Sequence, residues 1–106
     1  MTTVEFFTDA DNTLLGFHVR GHSGYAEEGE DIVCAAVSSA VIMTINTVTE
    51  IMRIKARESG ENGEASLLIQ KEDAEACQSI LRGLRLHLLE LEKQYGEFIT
   101  IKFTEV

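Results

Sequence analysis

His22 and Cys34 are the two residues of this chain whose types and spacing could do chemistry together. In the segment GHSGYAEEGEDIVCAAVSSA, residues 21–40, the imidazole sits in a glycine-flanked turn. The thiol follows twelve positions later, just inside an apolar run with helical spacing. Asp31 directly precedes that run and is a favoured N-cap residue. On this reading Ile32, Val33 and Cys34 are the first three helical residues, and the Asp31 carboxylate accepts from the N–H of Val33 or Cys34. A first-turn cysteine lies among unpaired N–H groups at the positive end of the helix dipole. Both favour the thiolate, the species that attacks, while Glu28, Glu30 and Asp31 push the other way. The eleven residues between His22 and Cys34 can fold the imidazole back over the helix start. The same free N–H groups could hold an oxyanion, so nucleophile, base and oxyanion donors would meet in one place, as acyl transfer requires.

Plainer readings stand beside each of these. Cys34 could be a small core residue in an alanine-rich helix start, His22 a turn residue, and Asp31 a helix cap and nothing more. Ser38 lies one turn beyond Cys34 on the same helical face. It is a possible supporting group, or simply a hydrogen-bonding residue of the core. Cys77 falls on an apolar seam and reads as packing. A metal site drawn from His18, His22, Cys34 and a carboxylate lacks any paired-cysteine spacing, so neither metal nor cofactor is expected.

The elements that must position these groups follow from periodicity. Val4 and Phe6, then Leu15, Phe17 and Val19, alternate as half-buried strands do. DADN, 9–12, between them is turn-forming, so a β-hairpin is expected. Val33, Val37, Val41, Thr44, Val48 and Ile51 mark one face of a helix from Ile32 to about Lys55. Ala35, Ala36, Ala40, Met43 and Ile45 suggest that it is buried on more than one side. Its interrupting serines and threonines favour a core helix over a membrane span. ARESGENGE, 56–64, reads as a polar turn and ASLLIQ, 65–70, as a third strand. Asp73 is placed to cap a second helix, with Cys77, Leu81, Leu84, Leu88, Leu91 and Tyr95 as its seam and Gly96 just past its end. FITIKF, 98–103, is the fourth strand. The expected fold is α+β in the order β-β-α-β-α-β, a single domain over 1–106. It would be a four-stranded open sheet, mixed or antiparallel, with two long helices packed on one face.

A net charge of −9 argues against direct nucleic-acid binding, which needs clustered Lys and Arg, and suits a basic partner such as a cationic peptide. Two cysteines make no disulfide framework, and MTTVEFF carries no signal-peptide pattern, so a cytoplasmic location is expected. The apolar surface of the first helix suggests a homodimer.

Gly21, His22, Gly24, Tyr25, Ala26, Gly29 and the run DIVCAAVS, 31–38, resemble the signature of the ribosomal-processing cysteine protease family. Ser23 stands where that family more often has alanine. The resemblance implies a dimeric cytoplasmic bacterial peptidase of mixed α/β fold. Such an enzyme removes a short N-terminal extension from a large-subunit ribosomal protein. By position it makes Cys34 the nucleophile and His22 the general base, with Asp31 a candidate to orient the imidazole. Cleavage after an aromatic residue implies an apolar pocket near the thiol. The glycine-bearing loop, with Gly21, Ser23, Gly24, Tyr25 and Gly29, is expected to act as a substrate lid whose acidic residues attract a basic ribosomal peptide. The rival expectation is a non-catalytic peptide-binding or ribosome-assembly domain using the same pocket.

Overall fold

Alternation of apolar side chains builds a sheet that buries one face. The computed structural model describes residues 1–21, 30–61 and 64–106, apart from the side chains of Glu30, Asp31 and Glu61. The strands are β1 (Thr2–Thr8), β2 (Leu14–Arg20), β3 (Ala56–Glu61), β4 (Glu64–Ile69) and β5 (Ile99–Glu105), and the helices α1 (Glu30–Asn46) and α2 (Ala74–Gln94). The sheet order is β3-β4-β2-β1-β5. Only the β1–β5 pair is parallel; β1–β2, β2–β4 and β3–β4 are antiparallel. The mixed sheet with two long helices matches the expected class, but it has five strands rather than four. The extra one is β3, in the segment read as a polar turn.

The β1–β2 turn is an Asx turn, with the Asp9 carboxylate accepting from the N–H groups of Asp11 and Thr13 at 2.8 and 3.0 Å and Asn12 at φ 64°. Thr2, Val4, Phe6 and Thr8 of β1 are buried, as are Phe17 and Val19 of β2 and Leu67 and Ile69 of β4. They meet Val33, Val37, Val41 and Val48 from α1 and Cys77, Leu81, Leu84 and Leu88 from α2 in one core. The Phe6 ring stacks on Phe103 with centroids 5.6 Å apart and meets Phe17 edge-on at 6.3 Å. Gln78 fastens α2 to the start of β2 by accepting from Leu14 N–H at 3.0 Å and donating to Leu14 O at 2.7 Å. Asp73 occupies the N-cap position of α2 but makes no side-chain cap bond.

The first helix departs from expectation at both ends and across its width. It starts at Glu30, so Asp31 is the second helical residue and not the N-cap; two acidic residues at the positive end of the dipole favour the longer helix. It stops at Asn46 and widens into a π-helical turn over Thr47–Ile51, where Met52 N–H reaches Thr47 O at 2.8 Å. Three threonine hydroxyls, of Thr44, Thr47 and Thr49, donate to carbonyls four residues back, a habit that bends helices. Ile51 is thereby turned out to 77% exposure. Only the stripe Val33, Val37, Val41, Thr44 and Val48 is fully buried, while Ile32, Ala35, Ile42 and Met43 are exposed. The helix is therefore buried on one side, since the sheet and α2 cover no other. By length and composition Ile32–Ile51 could cross a membrane, but its buried stripe is part of the core.

The open face of the sheet carries charge. Glu5 accepts from the Thr104 hydroxyl at 2.5 Å and pairs with Arg20 at 3.4 Å. The Thr104 bond first, then Lys102 and Arg20, hold its carboxyl below the usual carboxylate range against a smaller opposing effect of burial. A depressed folded-state value stabilises the protein at neutral pH, and that contribution disappears as pH falls through the ordinary range to the depressed one. Glu5→Gln should thus cost on the order of 1 kcal/mol at pH 7 and progressively less as the pH is lowered, as read from urea midpoints over a pH series. Gly16 is a second sensitive point, because a Cβ there would stand 2.0 Å from Leu67 O. Gly16→Ala should destabilise by about 3 kcal/mol, and the same urea titrations check it.

Candidate active site

Cys34 is the fifth residue of α1, counted from Glu30. Its N–H therefore belongs to the i→i−4 ladder, and the free N–H groups of the helix lie in the turn before it. This corrects the expectation of a first-turn thiol. The side chain is partly exposed and faces a cleft of about 810 Å³ between α1, the ends of β1 and β2, and the β3–β4 hairpin. Thr2 Oγ1 stands 3.5 Å from its Sγ. Ser38, one turn further along α1, lines the same cleft, so Cys34 and Ser38 are brought together as their spacing requires.

The cleft has an apolar side and a polar rim. Val19, Val37, Val41, Ile42, Ile45 and Ala65 supply the first, and Arg20, Glu58, Ser59 and Glu64 the second. Such a surface suits an extended peptide with one or more apolar side chains. The hairpin lining was invisible in the sequence, because ARESGE has only Ala56 as an apolar signal. Thr2 was missed for another reason, since nothing local marks a strand-start threonine as the neighbour of a cysteine 32 residues away.

Gly21 ends the described part of this corner. At φ +99° it lies so near β1 that a Cβ would be 2.2 Å from Met1 O and 3.4 Å from Thr2 Cα. The next residue in the chain is His22. His22, Ser23, Gly24, Tyr25 and Gly29 lie outside the described residues, as does the Asp31 side chain, so the proposed base, lid and orienting group fall there too. His18 alternates onto the open face of the sheet, where Nε2 is 3.6 Å from Glu64 Oε1. Among the described residues no group of three or more His, Cys, Asp or Glu is placed to hold a metal ion.

Cys77 differs from Cys34 in its exposure. It is fully buried on the α2 seam, and burial, with a smaller push from Asp73, raises its thiol above the ordinary range. A partly exposed thiol on the wall of a peptide-sized cleft in an open-faced α+β sheet is a geometry open to thiol chemistry on an extended substrate. Residues 1–100 match the family described as cysteine protease Prp, and the chain belongs to that family. It is similar to the ribosomal processing cysteine protease Prp of Bacillus subtilis (strain 168), 27% identical over an alignment of 97 residues that covers 86% of this chain and 87% of that protein. Its fold is that of the essential ribosomal processing protease Prp from S. aureus in complex with a substrate peptide, with TM-score 0.89 and 21% identity over 98% of this chain and 100% of that one. A second S. aureus structure, with a covalently linked product peptide, matches with TM-score 0.85 and 22% identity over the same shares.

The contrast between the two thiols has a direct consequence. Iodoacetamide should modify Cys34 in the native protein at least about a hundredfold faster than Cys77, whose access requires opening of the core. Peptide mapping by mass spectrometry over time, with and without urea, measures both rates.

Proposed function

We propose that this chain is a cytoplasmic, homodimeric endopeptidase that removes a short N-terminal extension from a basic large-subunit ribosomal protein. Cys34 is its nucleophile and His22 its general base. The observation that carries this is the placement of the Cys34 thiol on the wall of a peptide-sized cleft in a chain of the cysteine protease Prp family. The ribosomal substrate is supported by the names of its relatives, ribosomal processing proteases. It is supported also by the net charge of −9 and by Glu58 and Glu64 on the rim, which attract a basic peptide. The same charge disfavours nucleic acid as a direct partner. Cleavage after an aromatic residue suits the apolar side of the cleft. The uncharged exposed face of α1, with Ile32, Ile42 and Met43, supports self-association, and its buried stripe speaks against a membrane partner.

In the proposed reaction His22 takes the Cys34 proton and Sγ attacks the scissile carbonyl carbon. The tetrahedral oxyanion collapses, the C–N bond breaks, and His22 returns the proton to the leaving amine. Water, activated by the same imidazole, then cleaves the thioester and restores the thiol. Support for His22 comes from chain continuity, because Gly21 packs against Met1 and Thr2, and Thr2 touches Cys34. The loop of Ser23, Gly24, Tyr25 and Gly29 serves as the lid, with Asp31 orienting the imidazole and Ser38 supporting from one turn away.

The test is incubation with N-terminal peptides of basic large-subunit ribosomal proteins, read by mass spectrometry. Wild type should cleave one of them at a single bond. Cys34→Ala should lower cleavage by about a thousandfold or more while binding the peptide with affinity within a few fold of wild type. Persistent cleavage by Cys34→Ala overturns the proposal.

A further inference from the structure

We propose that the Thr2 hydroxyl is a positioning group for the Cys34 thiolate, a role that rests on Cys34 being the nucleophile. Thr2 Oγ1 lies 3.5 Å from Sγ, a geometry in which either atom can donate while the sulfur is a thiol. Loss of the proton removes that choice. A thiolate has no hydrogen to give, so the hydroxyl must donate and the sulfur accept. A hydrogen bond to the charged form is the stronger of the two, and the contact therefore favours the attacking species over its resting acid. The hydroxyl keeps its own proton throughout, since the thiol proton goes to the base.

Three features make this contact more than incidental. Thr2 is only 4% exposed, so water competes weakly for its hydroxyl. Its backbone is pinned, with N–H donating to Phe98 O at 2.8 Å and its position paired with Ile99 in the parallel ladder. A β-branched side chain on a fixed strand has restricted χ1 freedom, so the hydroxyl is held where it is. The third is Thr2's place in the buried stripe with Val4 and Phe6, where valine would pack equally well. The hydroxyl is superfluous to the sheet. It is useful to the sulfur, because Cys34 lies past the turn whose free N–H groups would otherwise serve it.

The experiment compares Thr2→Val, which removes the hydroxyl and keeps the shape, with Thr2→Ser, which keeps the hydroxyl and loses the methyl. The measured quantity is the pH–rate profile of Cys34 alkylation by iodoacetamide, alongside kcat/KM for the cleaved peptide. With valine the alkylation profile should move to higher pH by about half to one unit, and the rate at pH 7 should fall roughly three- to tenfold. The serine profile should superimpose on wild type. A packing role predicts the reverse order, with valine silent and serine disturbed. A valine profile coincident with wild type overturns the proposal, as does a serine profile displaced from wild type. If Thr2→Val does not fold, the serine variant alone decides, because the two roles predict opposite results for it. Failure of the underlying reading looks different, as cleavage that survives Cys34→Ala whatever occupies position 2.

Discussion

A bare backbone contact at one corner of the sheet holds the site together. Gly21 ends β2 at φ +99° and backs onto the Met1 carbonyl at a distance that leaves no room for a Cβ. Any other residue there would push the end of β2 away from the start of β1. The start of β1 is where Thr2 meets the Cys34 sulfur, and the end of β2 is where the chain departs for His22. Glycine at this position is thus a condition for the close approach between the end of β2 and the start of β1. Its freedom to adopt a positive φ matters as much as its size.

Beyond its opening turn, the helical wall beside the thiol bears no formal charge. No ionisable side chain other than Cys34 occurs in α1 and its π-helical extension between Asp31 and Glu50, so the helical wall of the cleft carries only the helix dipole and the thiol. Formal charges sit on the open face of the sheet, as in the Glu5–Arg20 pair, and at the margin of the cleft, where Arg20 itself, Glu58 and Glu64 contribute. The rim charges remain near enough to act on an approaching cation, because solvent screening takes effect over about 8 Å at physiological salt.

Most of the fold was legible because burial leaves a period. β1, β2, β4 and β5 alternate, and α2 carries a seam at three- and four-residue steps whose leading members are all buried. β3 left no such trace. As an edge strand it needs only its ladder to β4 and is better protected by Arg57 and Glu58 than by apolar residues. The width of burial on α1 was overstated because apolar and buried are different properties, as Met43 at 53% exposure shows. The helix end was misplaced because threonines that bond back to their own helix look like ordinary polar positions. Of the site, the part legible in the sequence was local in the chain: a cysteine near a helix start, with Ser38 one turn on. Thr2 and the hairpin rim reach the cleft through strand order, and strand order has no local signature.

Setting the thiol in the second turn of α1 changes what must support it. A first-turn cysteine would depend on frayed N–H groups and on whatever caps the helix. One turn further in, the backbone is locked into the ladder, and the Cα–Cβ bond leans toward the N-terminus, carrying the sulfur back over the opening turn. Stabilisation must then come from across the interface between helix and sheet, where Thr2 brings its hydroxyl to the sulfur from the buried face of β1. That hydroxyl is anchored by the Thr2–Phe98 backbone bond, which is also what seats β5 beside β1. The parallel pairing that closes the sheet and the placement of this hydroxyl beside the sulfur are therefore one constraint.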